Sequence, residues 1–328
     1  MDGNALMLFA LNSSHAFGEQ VGQHLGLALS GHEEREFEDG EHETRPLCSV
    51  RGRDVFIIQS LYADHQLSGN DKLCRLLFFV GALKDAGAAR VSVVAPYLAY
   101  ARKDRKTKPR DPVTTRYIAT LFEAVGTDTL VTLDVHNVAA FQNAFRCGAE
   151  HLEGGRMFSH YFAPLLQGRE VVVVAPDAGG IKRAERFRRL LSQLREKPVG
   201  LAFAEKHRSG GIVGGDLLVG EVKGKDVVII DDLISTGTTV MRTATACHAL
   251  GAARAFAVAT HGLFTGDANT ILADAALERI VIADTVAPFR LVEGALKAKV
   301  TVLSCAALFA EAIRRLHVGG SITDLLEP

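Results

Sequence analysis

Short apolar runs alternate with amphipathic segments along most of this chain, and the alternation predicts its architecture. Ten runs of four to six residues, rich in Val, Ile, Leu and Ala, have the length of buried strands. Five longer segments carry apolar residues at three- and four-residue spacing, which is typical of helices packed on a sheet. The predicted strands are 6–11, 55–59, 91–95, 130–135, 171–175, 199–203, 227–230, 255–259, 280–283 and 300–303, and the predicted helices are 72–85, 113–125, 180–194, 239–250 and 306–316. Because strands and helices alternate, the predicted fold class is α/β with doubly wound parallel sheets.

A short repeat indicates that the two halves of the chain are similar. The tetrapeptide Gly-Ala-Ala-Arg occurs at 87–90 and again at 251–254, each time directly before an apolar run. Val-Val-Ala-Pro likewise occurs at 93–96 and at 173–176. A duplicated fold would explain these echoes and would give both halves ligand-binding loops.

The length of the chain predicts two domains. At 328 residues it exceeds the usual size of a single domain. The glycine-containing stretch 147–156 is the best candidate for the boundary, so we expect an N-terminal half over 1–150 and a C-terminal half over 151–328. The pattern does not assign the last helix, 306–316, which is able to pack on the N-terminal half as well as on its own.

Composition narrows the classes of protein that this chain could be. A formal net charge of -1 gives no bulk attraction to nucleic acid or to an anionic membrane. No apolar run approaches the roughly 20 residues of a membrane helix, and the N-terminus lacks the pattern of a secretory signal, so we expect a cytoplasmic protein. The cysteines are dispersed and form no C-x-x-C pair, which argues against a disulfide framework or a thiolate zinc site. They are Cys48, Cys74, Cys147, Cys247 and Cys305.

The most informative segment begins where the predicted strand 227–230 runs into two adjacent carboxylates, Asp231 and Asp232. Four β-branched residues favour a strand buried on both faces of a parallel sheet. We expect this strand to end at the two acids. Ligands bind at the carboxyl ends of such strands, where the two acids could accept hydrogen bonds from sugar hydroxyls or face a hydrated metal.

A hydroxyl-rich loop follows the acid pair and opens a helix. It consists of Ser235, Thr236, Gly237, Thr238 and Thr239. Hydroxyl donors and successive backbone N–H groups at a helix N-terminus suit a phosphate dianion. The competing interpretation of the threonines alone is an ordinary capped helix. The chain contains neither G-x-G-x-x-G nor a P-loop, so a Rossmann dehydrogenase or a P-loop kinase is disfavoured.

The first half carries a charged motif of its own directly after the predicted strand 91–95. Residues 96–106 read Pro-Tyr-Leu-Ala-Tyr-Ala-Arg-Lys-Asp-Arg-Lys. The guanidinium fork of Arg102 and the ammonium of Lys103 would suit a polyphosphate. Taken alone, the charge run is more typical of a solvated loop.

Together these motifs resemble one enzyme family. The segment from Asp231 to Thr239 resembles the phosphoribosyl-diphosphate loop shared by type I phosphoribosyltransferases and ribose-phosphate pyrophosphokinases. Residues 96–106 resemble the nucleotide-binding Pro-Tyr…Tyr-Ala-Arg-Gln-Asp motif of the pyrophosphokinases alone, with Lys103 in place of Gln. Further resemblances are Asp-Val-His at 134–136 and Pro-Asp-Ala-Gly-Gly at 176–180, and the likeness extends from about residue 37 to residue 321. Ser235 and Thr238 depart from the Asp and Gly that are usual in bacterial members.

The resemblance implies a fold, a reaction and a set of site residues. The fold would be two similar doubly wound domains of the type I phosphoribosyltransferase kind. The enzyme would use Mg²⁺ to transfer the β,γ-diphosphoryl group of ATP to the anomeric hydroxyl of ribose 5-phosphate, releasing AMP. The implied residues are Phe37, Asp39, Glu41, Arg102, Lys103 and Asp104 for ATP; Asp231, Asp232, Ser235, Thr236, Gly237, Thr238 and Thr239 for ribose 5-phosphate; His136 and Asp177 for metal; and Lys206 and Arg208 for catalysis.

Two other functions stay open at this point. A phosphoribosyltransferase would share the sugar loop, but it would not explain the nucleotide motif of the first half or His136. A non-catalytic regulatory homologue would bind nucleotides and partner subunits, but it should have lost the cations Lys206 and Arg208. In the family, the element around Phe37 is contributed by a neighbouring subunit. The resemblance therefore implies a homo-oligomer, either a hexamer or a smaller assembly.

Overall fold

The structure, a computed structural model, describes residues 5–205, 208–209, 212–213 and 217–325; within this set the side chains of 205, 208–209, 212–213 and 217 are outside the description. The strands are β1 (Leu6–Ala10), β2 (His32–Glu36), β3 (His42–Pro46), β4 (Asp54–Ile58), β5 (Arg90–Ala95), β6 (Thr129–Leu133), β7 (Gly148–Leu152), β8 (Val171–Ala175), β9 (Gly200–Glu205), β10 (Arg208–Ser209), β11 (Ile212–Val213), β12 (Leu217–Val219), β13 (Asp226–Ile234), β14 (Arg254–Gly262), β15 (Arg279–Ala283) and β16 (Val300–Leu303). The helices are α1 (His15–Leu25), α2 (Gly69–Asp85), α3 (Thr114–Ala124), α4 (Val138–Ala144), α5 (Gly155–Leu165), α6 (Ile181–Arg195), α7 (Thr238–Ala249), α8 (Ala268–Ile271), α9 (Ala295–Lys299) and α10 (Ala306–His317).

The chain divides into two compact units. Of the described residues, the first unit contains 5–153 and 305–325, so α10 belongs to it, and the second contains those between 154 and 304. The first unit has a five-stranded parallel sheet in the order β1-β4-β5-β6-β7. The second has a seven-stranded sheet in the order β12-β9-β8-β13-β14-β15-β16, parallel except for β12. These two sheets confirm the predicted α/β fold class.

The two sheets are wound differently. In the first, the strands from β1 to β7 follow the order of the chain across the sheet. In the second, the chain starts at β8, moves outward to β9, and then returns to place β13 on the other side of β8. The order therefore reverses between β8 and β13. Open α/β sheets bind ligands in the crevice at such a reversal, which identifies one edge of the second sheet as the place for a site.

Helices cover both faces of each sheet. In the first unit, the rings of Phe9 and Phe79 meet edge to face at 5.4 Å between centroids, which packs α2 on one face. The neighbouring residue of β1, Ala10, points to the other face, where a Cβ on Gly18 of α1 would lie 2.2 Å from the Ala10 Cβ. The backbones of α1 and β1 approach so closely that only glycine fits at position 18. In the second unit Phe162 of α5 packs against Phe187 of α6 and Phe256 of β14.

The repeat in the sequence corresponds to matching turns. The turn before β4 and the turn before β13 both begin with a glycine whose N–H donates to the carbonyl of a second glycine, from Gly52 to Gly87 and from Gly224 to Gly251, each at 2.8 Å. Residues 50–58 and 222–230 share the pattern Val-x-Gly-x-Asp-Val-x-Ile-Ile, in which both x positions before Asp are cationic. The repeat is thus longer than the tetrapeptides alone indicated.

The aspartate of each repeat is buried at the start of its strand and bound by arginine. In the first unit Asp54 accepts a hydrogen bond from Arg90 Nε at 2.7 Å, and its Oδ2 lies 2.6 Å from His317 Nδ1. Arg90 also donates to the carbonyl of Leu316 at 3.0 Å. Asp54 is fully buried. These contacts fix the end of α10 to the first sheet.

Replacing Asp54 with asparagine is expected to lower the free energy of unfolding by about 3 kcal/mol, because it leaves Arg90 without its buried counter-charge. Hydrogen exchange across α10 should accelerate, since Arg90 and His317 both hold this helix. The matched variant is Asp226→Asn, the equivalent residue of the second unit. It should also destabilise the protein but leave exchange in α10 unchanged; equal effects of both variants on α10 would contradict this role for Asp54.

Among residues 5–205 and 217–325, none of the helices combines the length and the apolar character that crossing a bilayer requires.

Candidate active site

The strand that carries the acid pair is longer than predicted. β8 pairs with β13 only as far as Ile229, whereas β14 stays paired with it from Asp226 to Ile234. The expectation that the strand ends at Asp231 was therefore wrong, because hydrogen bonding to β14 carries it further. On the side that faces β8, the two acids do lie beyond the paired residues. They are at the carboxyl end of β13, where the strand order reverses.

Asp231 and Asp232 are adjacent carboxylates in a mostly buried setting. The Asp232 side chain is 5% exposed and that of Asp231 is 23% exposed. Burial, followed by the negative charge of Asp232, raises the pKa of Asp231 to about 8. Arg183 of α6 opposes this shift, with Nη1 3.3 Å from Asp232 Oδ1 and 3.6 Å from Asp231 Oδ1. The raised pKa favours the protonated form of Asp231 near neutral pH, and an additional cation or hydrogen-bond donor beside the pair would lower that pKa.

Asp177 lies at the same edge of the sheet. It follows β8, the neighbour of β13, and its Oδ1 accepts a hydrogen bond from the N–H of Gly180 at 3.0 Å. This bond caps the turn that leads into α6, the helix carrying Arg183. A carboxylate has further acceptor positions, so capping does not use up the capacity of Asp177 to bind a ligand.

The hydroxyl-rich loop joins the end of β13 to α7. Gly237 is the residue before the first turn of the helix and has φ +80°, a conformation that favours glycine. Because glycine has no side chain, it cannot cap the helix, and the first N–H groups of α7 remain suited to an anion. The hydroxyls of Thr236 and Thr238 are exposed and lie 3.1 Å apart.

A second loop supports the hydroxyl-rich one. The Ser235 hydroxyl lies 2.7 Å from that of Thr265, and the N–H of Thr265 donates to the Ser235 carbonyl at 3.0 Å. Thr265 follows β14, the other neighbour of β13. Thr239 lies within α7, where its carbonyl accepts from the Thr243 hydroxyl at 3.0 Å. Loops after three adjacent strands thus meet at one edge, bringing Asp177, the acid pair and the hydroxyls together.

The two predicted catalytic cations are only partly covered by the structure. Lys206 lies outside the described residues. Arg208 is in the short strand β10, which pairs antiparallel with β11, and its side chain is outside the description. Their roles stay predictions.

In the first unit, the predicted nucleotide residues follow adjacent strands. Arg102, Lys103 and Asp104 come after β5, and His136 comes after β6. The side-chain amide of Asn137 donates to Asp104 Oδ2 at 2.6 Å, which joins these two loops. Arg102 and His136 are exposed. The Lys103 ammonium is bound by Asp111.

The element around Phe37 is the tip of a separate hairpin formed by β2 and β3. The N–H of Phe37 donates to the Glu41 carbonyl at 2.8 Å, and Asp39 Oδ1 accepts from the N–H of Glu41 at 3.1 Å. Asp39 and Glu41 are exposed, and Phe37 is half-buried beneath the guanidinium of Arg35. The tip is thus a hydrogen-bonded turn with two solvent-exposed carboxylates.

The sequence analysis missed several residues that shape these loops. They are Arg183, Thr265, Asn137 and Asp111. Asn137 had a usable signal, since its side chain accepts from the N–H of Ala140 as the cap of α4. Thr265 had none, because it reaches the site only through the pairing of β13 with β14.

Comparisons with known proteins extend over the whole chain. A family model for the N-terminal domain of ribose phosphate pyrophosphokinase matches residues 6–126, and a model for the phosphoribosyl synthetase-associated domain matches residues 216–327. The ribose-phosphate pyrophosphokinase of Caldanaerobacter subterraneus subsp. tengcongensis is 39% identical over 98% of both chains. Ribose-phosphate pyrophosphokinase 1 of Streptococcus agalactiae is 37% identical over 100% of this chain and 98% of its own.

A solved structure agrees with these relatives. The phosphoribosylpyrophosphate synthetase from Mycobacterium smegmatis superposes with a TM-score of 0.85 at 32% identity, covering 97% of this chain and 100% of its own. The resemblance inferred from the motifs is confirmed. This chain belongs to the ribose-phosphate pyrophosphokinase family.

Proposed function

We propose that this protein is a Mg²⁺-dependent enzyme that makes phosphoribosyl diphosphate and AMP from ribose 5-phosphate and ATP. The anomeric oxygen of the sugar forms a bond to the β-phosphorus of ATP. The bond from that phosphorus to the α,β-bridging oxygen breaks, and AMP leaves with this oxygen. The hydroxyl proton of the sugar is released. Transfer of this kind depends chiefly on positioning and on neutralising charge.

The observation that carries the proposal is the meeting of an acid pair and a hydroxyl-rich helix N-terminus where the strand order of the second sheet reverses. Asp231 and Asp232 are suited to accept hydrogen bonds from two ribose hydroxyls. Thr236 and Thr238 add exposed hydroxyls, and the first N–H groups of α7 add donors for the 5-phosphate. A sugar phosphate needs acceptors for its hydroxyls and donors for its phosphate close to each other. The end of β13 supplies the acceptors, and the loop that follows it supplies the donors.

Three cationic residues of the second unit are also given roles in this proposal. Lys206 and Arg208 are proposed to neutralise charge on the moving diphosphoryl group. Arg183 is proposed to balance the acid pair while the site is empty, since its guanidinium already contacts Asp232.

ATP is assigned to the first unit. Arg102 is the proposed phosphate ligand because it is exposed in the loop that follows β5. Asp104 is proposed to contact the nucleotide from the loop that Asn137 holds. Phe37, Asp39 and Glu41 are proposed to contact the adenine of a neighbouring subunit, which makes the active form a homo-oligomer.

Mg²⁺ is part of the proposal. Within the described ranges, no three His, Cys, Asp or Glu side chains cluster closely enough to hold a metal ion by themselves. This fits Mg²⁺, which keeps water ligands and is usually bound by one or two protein groups together with substrate phosphates. His136 and Asp177 are the proposed protein contacts, each after a strand of its own sheet. When bound, Mg²⁺ would neutralise charge on the ATP phosphates.

A phosphorus NMR time course with MgATP and ribose 5-phosphate tests this function. We expect equal amounts of AMP and of a sugar carrying both a 5-phosphate and an anomeric diphosphate, with no turnover when ribose 5-phosphate is omitted. Asp232→Asn should lose product formation, whereas Asp226→Asn, at the other end of the same strand, should keep it. Formation of ADP would overturn the assignment. Base-dependent consumption of phosphoribosyl diphosphate would indicate a phosphoribosyltransferase instead, and nucleotide binding without turnover a regulatory homologue.

A further inference from the structure

The segment 103–111 follows Arg102 and is rich in exposed cations. Arg105, Lys106, Lys108 and Arg110 are all exposed, and they lie within six positions of one another. Like charges at this spacing repel, so an unsupported segment would spread into solvent. The segment instead turns back on itself and leads into α3.

One side-chain contact closes the turn. Lys103 Nζ contacts Asp111 Oδ2 and donates to Thr107 Oγ1 at 2.9 Å. The same Asp111 oxygen accepts from the Thr107 hydroxyl at 2.8 Å and from the N–H groups of Thr107 and Lys108 at 3.0 and 2.9 Å. The hydrogen bond from Lys103, followed by those from Thr107, lowers the pKa of Asp111. The Asp111 carboxylate therefore joins Lys103, Thr107 and Lys108 to the end of the segment.

The backbone is closed at the same position. The carbonyl of Lys103 accepts from the N–H of Thr115 at 3.4 Å and from its hydroxyl at 3.3 Å. Lys103 is thus joined to the far end of the segment by its side chain, through Asp111, and to the first turn of α3 by its backbone. The neighbouring Asp104 is held by Asn137. These contacts hold the two residues that directly follow Arg102 in the chain.

We propose that Lys103 is a positioning residue that closes the cationic segment through Asp111, and that it does not bind the ATP phosphates itself. The proposal rests on the proposed function, since it concerns the same nucleotide site. Its physical basis is that the ammonium already has a carboxylate and a hydroxyl as partners. To bind a phosphate, Lys103 would have to leave the group that organises Thr107 and Lys108, whereas Arg102 beside it is exposed.

Three variants test the closure: Lys103→Met, which has no donor, Asp111→Asn, and the exchange of Lys103→Asp with Asp111→Lys in one chain. The two single variants should raise the KM for MgATP by a similar factor, about tenfold, with kcat nearly unchanged. The exchange restores the opposite charges but not the acceptor at position 111, so its KM should lie between those of the single variants and that of the original protein. Lys106→Gln, which removes an exposed charge from the same segment, should change the KM less than about twofold.

Hydrogen exchange at the N–H groups of Thr107 and Lys108 provides a readout that needs no nucleotide. It should accelerate in both single variants and stay fast in the exchange variant, because a lysine at position 111 offers no acceptor to these N–H groups. Lys103 would be a phosphate ligand if Lys103→Met raised the KM for MgATP far more than Asp111→Asn, with no rescue in the double variant and unaltered hydrogen-exchange protection of Thr107. If the original protein failed to turn over ATP at all, the proposed function would fail. The hydrogen-exchange rates of Thr107 and Lys108 would still decide whether Lys103 and Asp111 close the segment.

Discussion

Replacing Gly237 with alanine is expected to raise the KM for ribose 5-phosphate about 100-fold and to lower the melting temperature. Two separate costs produce this effect. The φ of +80° is costly for a residue with a Cβ, by about 1–2 kcal/mol. The added Cβ would also lie 2.4–2.7 Å from three side-chain carbons of Leu272, which is fully buried. Because the core cannot yield, the loop would move, and the hydroxyls with it.

A matched glycine separates the two costs. Gly224 has φ +71°, yet no heavy atom lies within 4 Å of where its Cβ would stand. Gly224→Ala should therefore lower stability by about 1 kcal/mol and leave the KM for ribose 5-phosphate unchanged. Steady-state kinetics and thermal unfolding on the same preparations measure both quantities.

A double variant sharpens the test. Adding Leu272→Ala to Gly237→Ala removes the clash, so part of the lost affinity for ribose 5-phosphate should return. Stability should fall further, because the truncated leucine leaves a cavity worth about 2–5 kcal/mol. A structural defect alone would move both quantities in the same direction. If Gly237→Ala bound ribose 5-phosphate normally, the hydroxyl-rich loop would not be the phosphate site.

The sequence predicted many of the elements that have an apolar pattern of their own, but it missed two amphipathic helices, α1 and α5. All five predicted helices are present within three residues of their expected ends, for example α2, where Ser68 and Asp71 form a capping box before the periodic segment begins. The hairpin of β2 and β3 was missed because its strands are almost entirely polar. Its contacts with the rest of the first unit come from polar residues, among them His32, whose ring lies against Phe9 and Phe79, and His42, whose ring stacks on Phe78. A search for alternating apolar residues does not detect a strand that packs through polar side chains.

The candidate site was predictable where neighbours in sequence are neighbours in space. Asp231 to Thr239 form one continuous strand end, loop and helix start, so their residue types alone predicted a site for a sugar phosphate, and their binding role stays a prediction. Arg183 was not predictable, because periodicity gives its position on α6 but not its approach to a strand more than forty residues later. The Lys103 pair shows the same limit: the charge run was visible, but its closure by Asp111 depends on how the segment turns.

Two aspartates on β13 should respond to substitution in opposite ways. Asp226 starts the strand and Asp231 lies five residues on, about 17 Å away along the extended chain. Burial opposes ionisation of Asp226, but hydrogen bonds from Arg254 and Arg169 outweigh it and lower its pKa. At Asp231, burial and the charge of Asp232 raise the pKa to about 8. One acid therefore stabilises the fold when charged, and the other destabilises it.

The dependence on pH follows from these shifts. The unfolded chain releases the proton of Asp231 near pH 4, but the folded protein keeps it up to about pH 8, so stability from this group falls as the pH rises between those values. Asp231→Asn should then stabilise the ligand-free protein by about 2 kcal/mol at pH 8.5, with the gain vanishing near pH 4. Asp226→Asn should destabilise it by about 3 kcal/mol at neutral pH, and this loss should shrink as the pH falls below 4.

The variant that gains stability, Asp231→Asn, should lose activity, and the variant that loses stability, Asp226→Asn, should keep it. Asp231→Asn removes a charged acceptor for a ribose hydroxyl, so kcat/KM for ribose 5-phosphate should fall at least about 100-fold although the protein becomes more stable. Asp226→Asn, far from the site, should leave the kcat/KM of the folded fraction within about twofold. Urea unfolding from pH 4 to 9 and kinetics at pH 8 give both measurements. A loss of stability in Asp231→Asn at pH 8.5 would show that its carboxylate is held by favourable partners, and that the strain attributed to the acid pair is absent.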